Sequence, residues 1–185
     1  GISGYIPALR DRPRYNEDGH SGNHLYIPWW DREGQKNGSL NFSRGYHFEV
    51  GARFSSPGMG VAGRVDGYGK AAKDDVRSNY GTGIGLSLRG EMLVSDDCYC
   101  EIDDEVTDQW GIPVLKFHWK WSEQEINQVA HGLEWGKKII EAMGGIVNNP
   151  DRAAEEAIEE GGQIIHEVGT TRMGEDPATS VCNEW

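Results

Sequence analysis

Apolar and polar residues alternate most regularly over Val114–Trp121, VLKFHWKW. Leu115, Phe117, Trp119 and Trp121 share one parity; Lys116, His118 and Lys120 share the other. Successive side chains of a strand point to opposite faces, so this pattern predicts a strand with one buried face and one wet face. Immediately afterwards the period lengthens. Ile126, Val129, Leu133, Ile140 and Met143 recur at the spacing of one helix face. Ser122 and Glu125 form an S-x-x-E capping box at its start. Lys137 and Lys138 suit the negative end of its dipole, and Gly144–Gly145 supply a stop.

Elsewhere the pattern is more broken. RGYHFEVGARF, residues 44–54, alternates roughly and reads as a strand with a Gly break. LYIPWW is short and apolar, and Pro28 keeps it out of a central strand position. NEDGHSGNH, DREGQKNGS and SSPGMGVAG carry the Asn, Asp, Gly and Ser clusters of loops, so residues 1–45 read as turn-rich. A short helix is expected around Lys70–Tyr80. Gly83–Ile102 suggests two strands joined near Arg89–Gly90. Residues 103–113 read as a polar connection closed by Gly-Ile-Pro, and Gln163–Val168 as a short strand before a Gly-rich turn. Strands dominate and the two clearest helices come after them. The expected fold class is α+β, a mostly antiparallel sheet flanked by helices. GTGIGLSLRG contains a G-x-G, but no helical pattern follows it, so it is not a dinucleotide fingerprint.

Composition narrows the partners. The net charge of −12 repels phosphate backbones, which argues against nucleic acid and anionic membranes. No apolar run approaches the ~18–20 residues that cross a bilayer. Three cysteines do not read as a disulfide framework, and no pair of C-x-x-C motifs supports a zinc site. His20 and His24 form an H-x-x-x-H in a loop without an evident third ligand, so no metal is expected. The 7 Trp are either core residues or the walls of a site for flat or sugar-like ligands.

His166 is the main candidate for chemistry. It stands in I-I-H-E-V-G-T-T-R-M-G, at a strand end before a Gly-rich turn. Imidazole exchanges protons near neutral pH, and such a position can face a pocket. From spacing alone, a satisfied structural histidine is the stronger reading. His118, on the polar parity of its strand, is a second candidate that could touch a ligand.

The segment HEVGTTRMGEDPATSVCN resembles the C-terminal region of the glucose–methanol–choline (GMC) flavin-dependent oxidoreductases, where a His precedes a Gly-Thr-x-x-Met-type turn. His166, Gly169, Thr170, Arg172, Met173, Gly174, Asp176 and Pro177 fit that pattern. Asp108, Gly111 and Pro113 similarly match the family's D-x-x-G-x-P turn. The resemblance is nearest to the pyranose oxidase and sugar dehydrogenase branches. It implies that His166 takes the hydroxyl proton of an alcohol or sugar while a hydride passes to FAD. It implies that Gly169 and Thr170 lie against the cofactor and that His118 lies near the substrate.

On that resemblance residues 1–160 would form a substrate-binding domain, with residues 1–40 as an irregular lead-in. Residues 161–185 would begin the active-site segment that returns to the flavin domain. The family's Gly-rich flavin-binding motif and its second active-site His or Asn have no counterpart here. The chain is therefore expected to be a fragment that binds no FAD alone and depends on the flavin-binding remainder of a parent protein. Oxygen or an acceptor protein would take the electrons. The rival expectation is a free-standing carbohydrate-binding β domain without catalysis.

Overall fold

A computed structural model describes residues 1–12, 25–52, 67–163 and 171–183. Its elements are β1 (Ile2–Tyr5), β2 (Leu25–Ile27), α1 (Arg32–Asn37), β3 (Tyr46–Ala52), α2 (Gly69–Asn79), β4 (Gly83–Gly90), β5 (Tyr99–Thr107), β6 (Pro113–His118), α3 (Glu123–Ala142), β7 (Ile146–Val147) and α4 (Ala154–Ala157). A 3-10 turn, Pro7–Leu9, follows β1. The strands form a five-stranded sheet in the order β2-β3-β4-β1-β7 and a separate β5-β6 ribbon. Each strand pairing is antiparallel, so the α+β expectation holds. The chain divides into two compact units: Gly1–Glu91 with Glu125–Ile158, and Met92–Gln124 with Glu159–Trp185.

In the first unit, alternation in β3 and β4 builds the core. Tyr46, Phe48, Ile84 and Leu86 are buried, with Phe48 wholly inaccessible. Helix α3 adds Val129 and Ile140. The helix approaches the sheet closely because two of its positions lack a side chain. A Cβ on Gly132 would lie 1.7 Å from Leu88 Cδ1, and one on Gly136 would lie 2.5 Å from Ile2 Cγ2. Pro28 follows β2 at the sheet edge, where a missing N–H does no harm.

Local chemistry accounts for the ends of α3. The Ser122 hydroxyl accepts the Gln124 N–H at 3.2 Å. At the other end Gly144 takes φ +72, its N–H reaches the Glu141 carbonyl at 2.9 Å, and the Gly145 N–H reaches the Ile140 carbonyl at 2.9 Å. These paired bonds are a Schellman stop, which requires the left-handed conformation that Gly adopts without a Cβ clash.

Several expectations change. Residues 1–45 are not merely turn-rich: β1 lies between β4 and β7, and α1 forms in DREGQKNGS. The Asp31 carboxylate caps α1 by accepting the Gly34 N–H at 2.8 Å. Six polar residues carry no helical apolar period, which hid this element. Gly83–Ile102 is not a hairpin. β4 ends at Gly90, β5 starts only at Tyr99, and β5 pairs with β6. The first part of the supposed connection 103–113 is strand, since β5 runs to Thr107. The helix expected near Lys70–Tyr80 is α2. Residues 164–168 of the strand expected at Gln163–Val168, the SSPGMGVAG loop, and His20 and His24 lie outside the described residues.

The largest correction concerns β6. Leu115 and Phe117, expected on a buried face, are 58% and 61% exposed. Their parity is right. In the ribbon Cys100 faces Phe117 and Ile102 faces Leu115, so one face is apolar. Alternation marks a face for burial, but a two-stranded ribbon cannot bury it without a covering layer.

Candidate active site

His166, Gly169 and Thr170 lie outside the described residues, as does Glu167. What is described is the ribbon that carries His118 and the turn that follows the His166 segment. Both belong to the second compact unit.

The ribbon is held in register by its own turn. The Asp108 carboxylate accepts the N–H groups of Trp110 at 2.8 Å and Ile112 at 2.9 Å. The Asp108 N–H donates to the Ile112 carbonyl at 2.8 Å. Gly111 turns at φ +80, where a Cβ would be strained. The D-x-x-G-x-P spacing thus has a local cause: Asx hydrogen bonding, a left-handed glycine, and a Pro that opens β6. The acidic stretch before it lies within β5, where the ribbon's register shifts between Ile102 and Thr107. Asp103 accepts N–H groups from Glu105 at 2.8 Å and Val106 at 2.9 Å. Those bonds hold its carboxyl below the usual range.

Beyond the turn, register brings three side chains together. Tyr99 stands opposite His118, and Glu101 opposite Lys116, on the face that carries no Ile102 or Leu115. His118 Nε2 is 2.9 Å from Glu101 Oε1. The Tyr99 ring stacks on the imidazole at 4.1 Å between centroids and 14° between planes. His118 is about one-third exposed and Glu101 half exposed. The sequence marked His118 alone. Its two partners lie 17 and 19 residues upstream, and only the strand register connects them.

Residues 172–182 form a self-closed loop. The Gly174 N–H donates to the Cys182 carbonyl at 2.9 Å and the Val181 N–H to the Arg172 carbonyl at 3.0 Å. Asp176 accepts the Ala178 N–H at 2.9 Å. A Cβ on Gly174 would sit 3.1 Å from Ser180 Cβ, so the glycine permits the close approach. Arg172 forms an ion pair, its Nη2 3.0 Å from Asp96 Oδ1. These motif residues shape the loop rather than present reactive groups. Among the described residues no cluster of three or more His, Cys, Asp or Glu is arranged for a metal ion. Cys98, Cys100 and Cys182 are free thiols.

A second histidine is engaged at both ring nitrogens, in the first unit. Trp135 Nε1–H donates to His131 Nε2 at 3.1 Å. Indole is only a donor, so Nε2 must be the bare nitrogen and the proton sits on Nδ1, 2.8 Å from the Tyr46 hydroxyl. Burial holds the His131 pKa below its ordinary value; Glu134 and Asp31 oppose this and Lys138 adds to it. Burial likewise raises the Tyr46 phenol, reinforced by Asp31 and Glu134. Trp29 and Phe42 pack against the His131 ring. This is a partly buried packing histidine held by hydrogen bonds at both nitrogens.

Comparison with known proteins points to one family. The GMC oxidoreductase family model matches residues 95–185, a span that contains the ribbon, the Asp108 turn, His166 and the closed loop. That span, just under half of the chain, supports a C-terminal fragment of a GMC oxidoreductase. Its relatives include a 2-methyl-1,2-propanediol dehydrogenase of Mycolicibacterium austroafricanum, 24% identical over 148 residues, covering 78% of this chain and 26% of that protein. A gluconate 2-dehydrogenase flavoprotein of Pantoea cypripedii is 24% identical over 156 residues, covering 80% of this chain and 25% of that protein. The chain therefore spans about a quarter of the length of the curated relatives it matches.

Proposed function

We propose that this chain forms the substrate side of the active site of an FAD-dependent enzyme that oxidises a CH–OH group of a small alcohol, polyol or sugar. His166 is its general base. The observation that carries the reading is the family match over residues 95–185, which takes in His166 together with the Gly-Thr turn and loop behind it. The two relatives are named for a diol and for gluconate, and both compounds carry oxidisable hydroxyl carbons. A non-catalytic carbohydrate-binding domain gives no reason for that match.

Among the described residues, the cleft lined by Ile2, Ser3, Leu133, Asn149 and Arg152 holds about 30 Å³, room for roughly one or two waters and not for a flavin dinucleotide. The cofactor is assigned to the remainder of the parent protein, with Gly169 and Thr170 as the contacts from this chain. When bound, the flavin supplies the hydride acceptor. The chain's own part is to hold the alcohol and to take the hydroxyl proton on the His166 imidazole. Residues 1–160 serve as the substrate-binding domain and 161–185 as the segment that returns to the flavin domain. The electrons leave to oxygen or to an acceptor protein.

The test uses the full-length parent protein with His166→Ala. Flavin absorbance should be retained. Anaerobic flavin reduction by gluconate or 2-methyl-1,2-propanediol should slow by roughly 10²–10⁴, the usual loss when a positioned base is removed. Reduction at the parent rate would overturn the assignment of His166.

A further inference from the structure

We infer that Glu101 is a positioning residue that fixes the tautomer and plane of His118, so that His118 Nδ1 accepts a hydrogen bond from a substrate hydroxyl. The inference deepens the proposed function and rests on it. Glu101 Oε1 lies 2.9 Å from His118 Nε2. An ionised carboxylate can only accept, so the proton of the neutral ring sits on Nε2 and Nδ1 is bare. Among the described residues Nδ1 has no hydrogen-bond partner. The Tyr99 ring, stacked 4.1 Å away and nearly parallel, covers one face of the imidazole and fixes its plane.

Strand register delivers both partners, since Tyr99 lies directly across from His118 and Glu101 lies on the same face two residues along. An exposed ion pair alone contributes little to stability. A hydrogen bond and a ring stack that converge on one partly exposed histidine leave a single acceptor nitrogen defined in identity and direction. Substrates with several hydroxyl groups are the class such an acceptor suits. Carboxylate–imidazole pairs fix tautomers in the same way where histidines bind metals or exchange protons.

The experiment uses the full-length flavoprotein with gluconate and 2-methyl-1,2-propanediol as probes. Glu101→Ala should raise KM about three- to tenfold for at least one of them, the worth of one hydrogen bond, with kcat nearly unchanged. Nitrogen NMR of the labelled protein should show His118 moving from a single Nε2–H tautomer to a mixture. A merely structural role would not produce that signature. Lys116→Ala, on the same face and opposite Glu101, should leave both readouts unmoved. Should Glu101→Ala fail to fold, Glu101→Gln keeps the shape, drops the charge and carries the same two readouts. Unchanged KM for both probes, or an unchanged His118 tautomer, overturns the inference. If His166→Ala abolishes flavin reduction in the same preparation, the proposed function survives that failure. Normal reduction by His166→Ala overturns the proposed function and this inference with it.

Discussion

The two compact units use the same strand alternation and reach opposite results. In the unit built on the five-stranded sheet, alternate residues of β3 and β4 are buried: Tyr46, Phe48, Ile84 and Leu86. Helix α3 reaches this sheet through Gly132 and Gly136 and covers it. In the ribbon unit, Ile102, Leu115 and Phe117 share a face by equally regular alternation, yet all remain more than half exposed. The difference lies in the second layer, not in the strands. A face becomes core only when another element lies on it, and burial then contributes ~25 cal/mol per Å² of apolar surface. The ribbon's polar face is ordered by other means, through the Asp108 turn and the contacts of His118 with Glu101 and Tyr99.

That contrast can be broken or sharpened by mutation. The largest effect is expected at Phe48, which is wholly buried. Phe48→Ala should lower unfolding free energy by ~3–5 kcal/mol in urea titrations. A loss below about 1 kcal/mol would mean that the sheet unit is not the stable core. A smaller effect is expected from pH. His131 has a lowered pKa when folded, so the unfolded chain binds the proton more readily. Its contribution is complete above the unfolded value of about 6.5 and fades as pH falls below that, through the folded pKa. Urea midpoints should be level from pH 8 to 7 and decline toward pH 5. His131→Asn should be less stable at pH 8 and show a shallower decline; an equal slope would exonerate His131. The smallest effect belongs to the ribbon. Leu115→Ser should change stability within about 0.5 kcal/mol, as exposed substitutions generally do. A cost above 1 kcal/mol would show that this apolar face is covered, and the contrast between the units would disappear.

Much of the candidate site was legible in the chain because its chemistry is local. The Asp108–Gly111–Pro113 turn needs only an Asx side chain, a glycine at φ +80 and a proline at the strand start. The loop behind His166 closes through its own residues, Arg172, Gly174, Asp176 and Ser180. The weakness of sequence reading shows at α1 and β1. Neither is long enough to express a period, and each is specified by partners elsewhere: a capping carboxylate for one, two flanking strands for the other.

The sequence by itself determined the α+β class, helix α3 with both its ends, the turn chemistry and the family motif around His166. These depend on residues within a few positions of one another, where dihedral preference and hydrogen bonding act directly. The tertiary structure alone decided which alternating face is buried, which strand pairs with which, and which groups surround His118. Those outcomes depend on register and layering between distant segments, and a one-residue slip in pairing would place Glu101 and Tyr99 on the opposite face from His118.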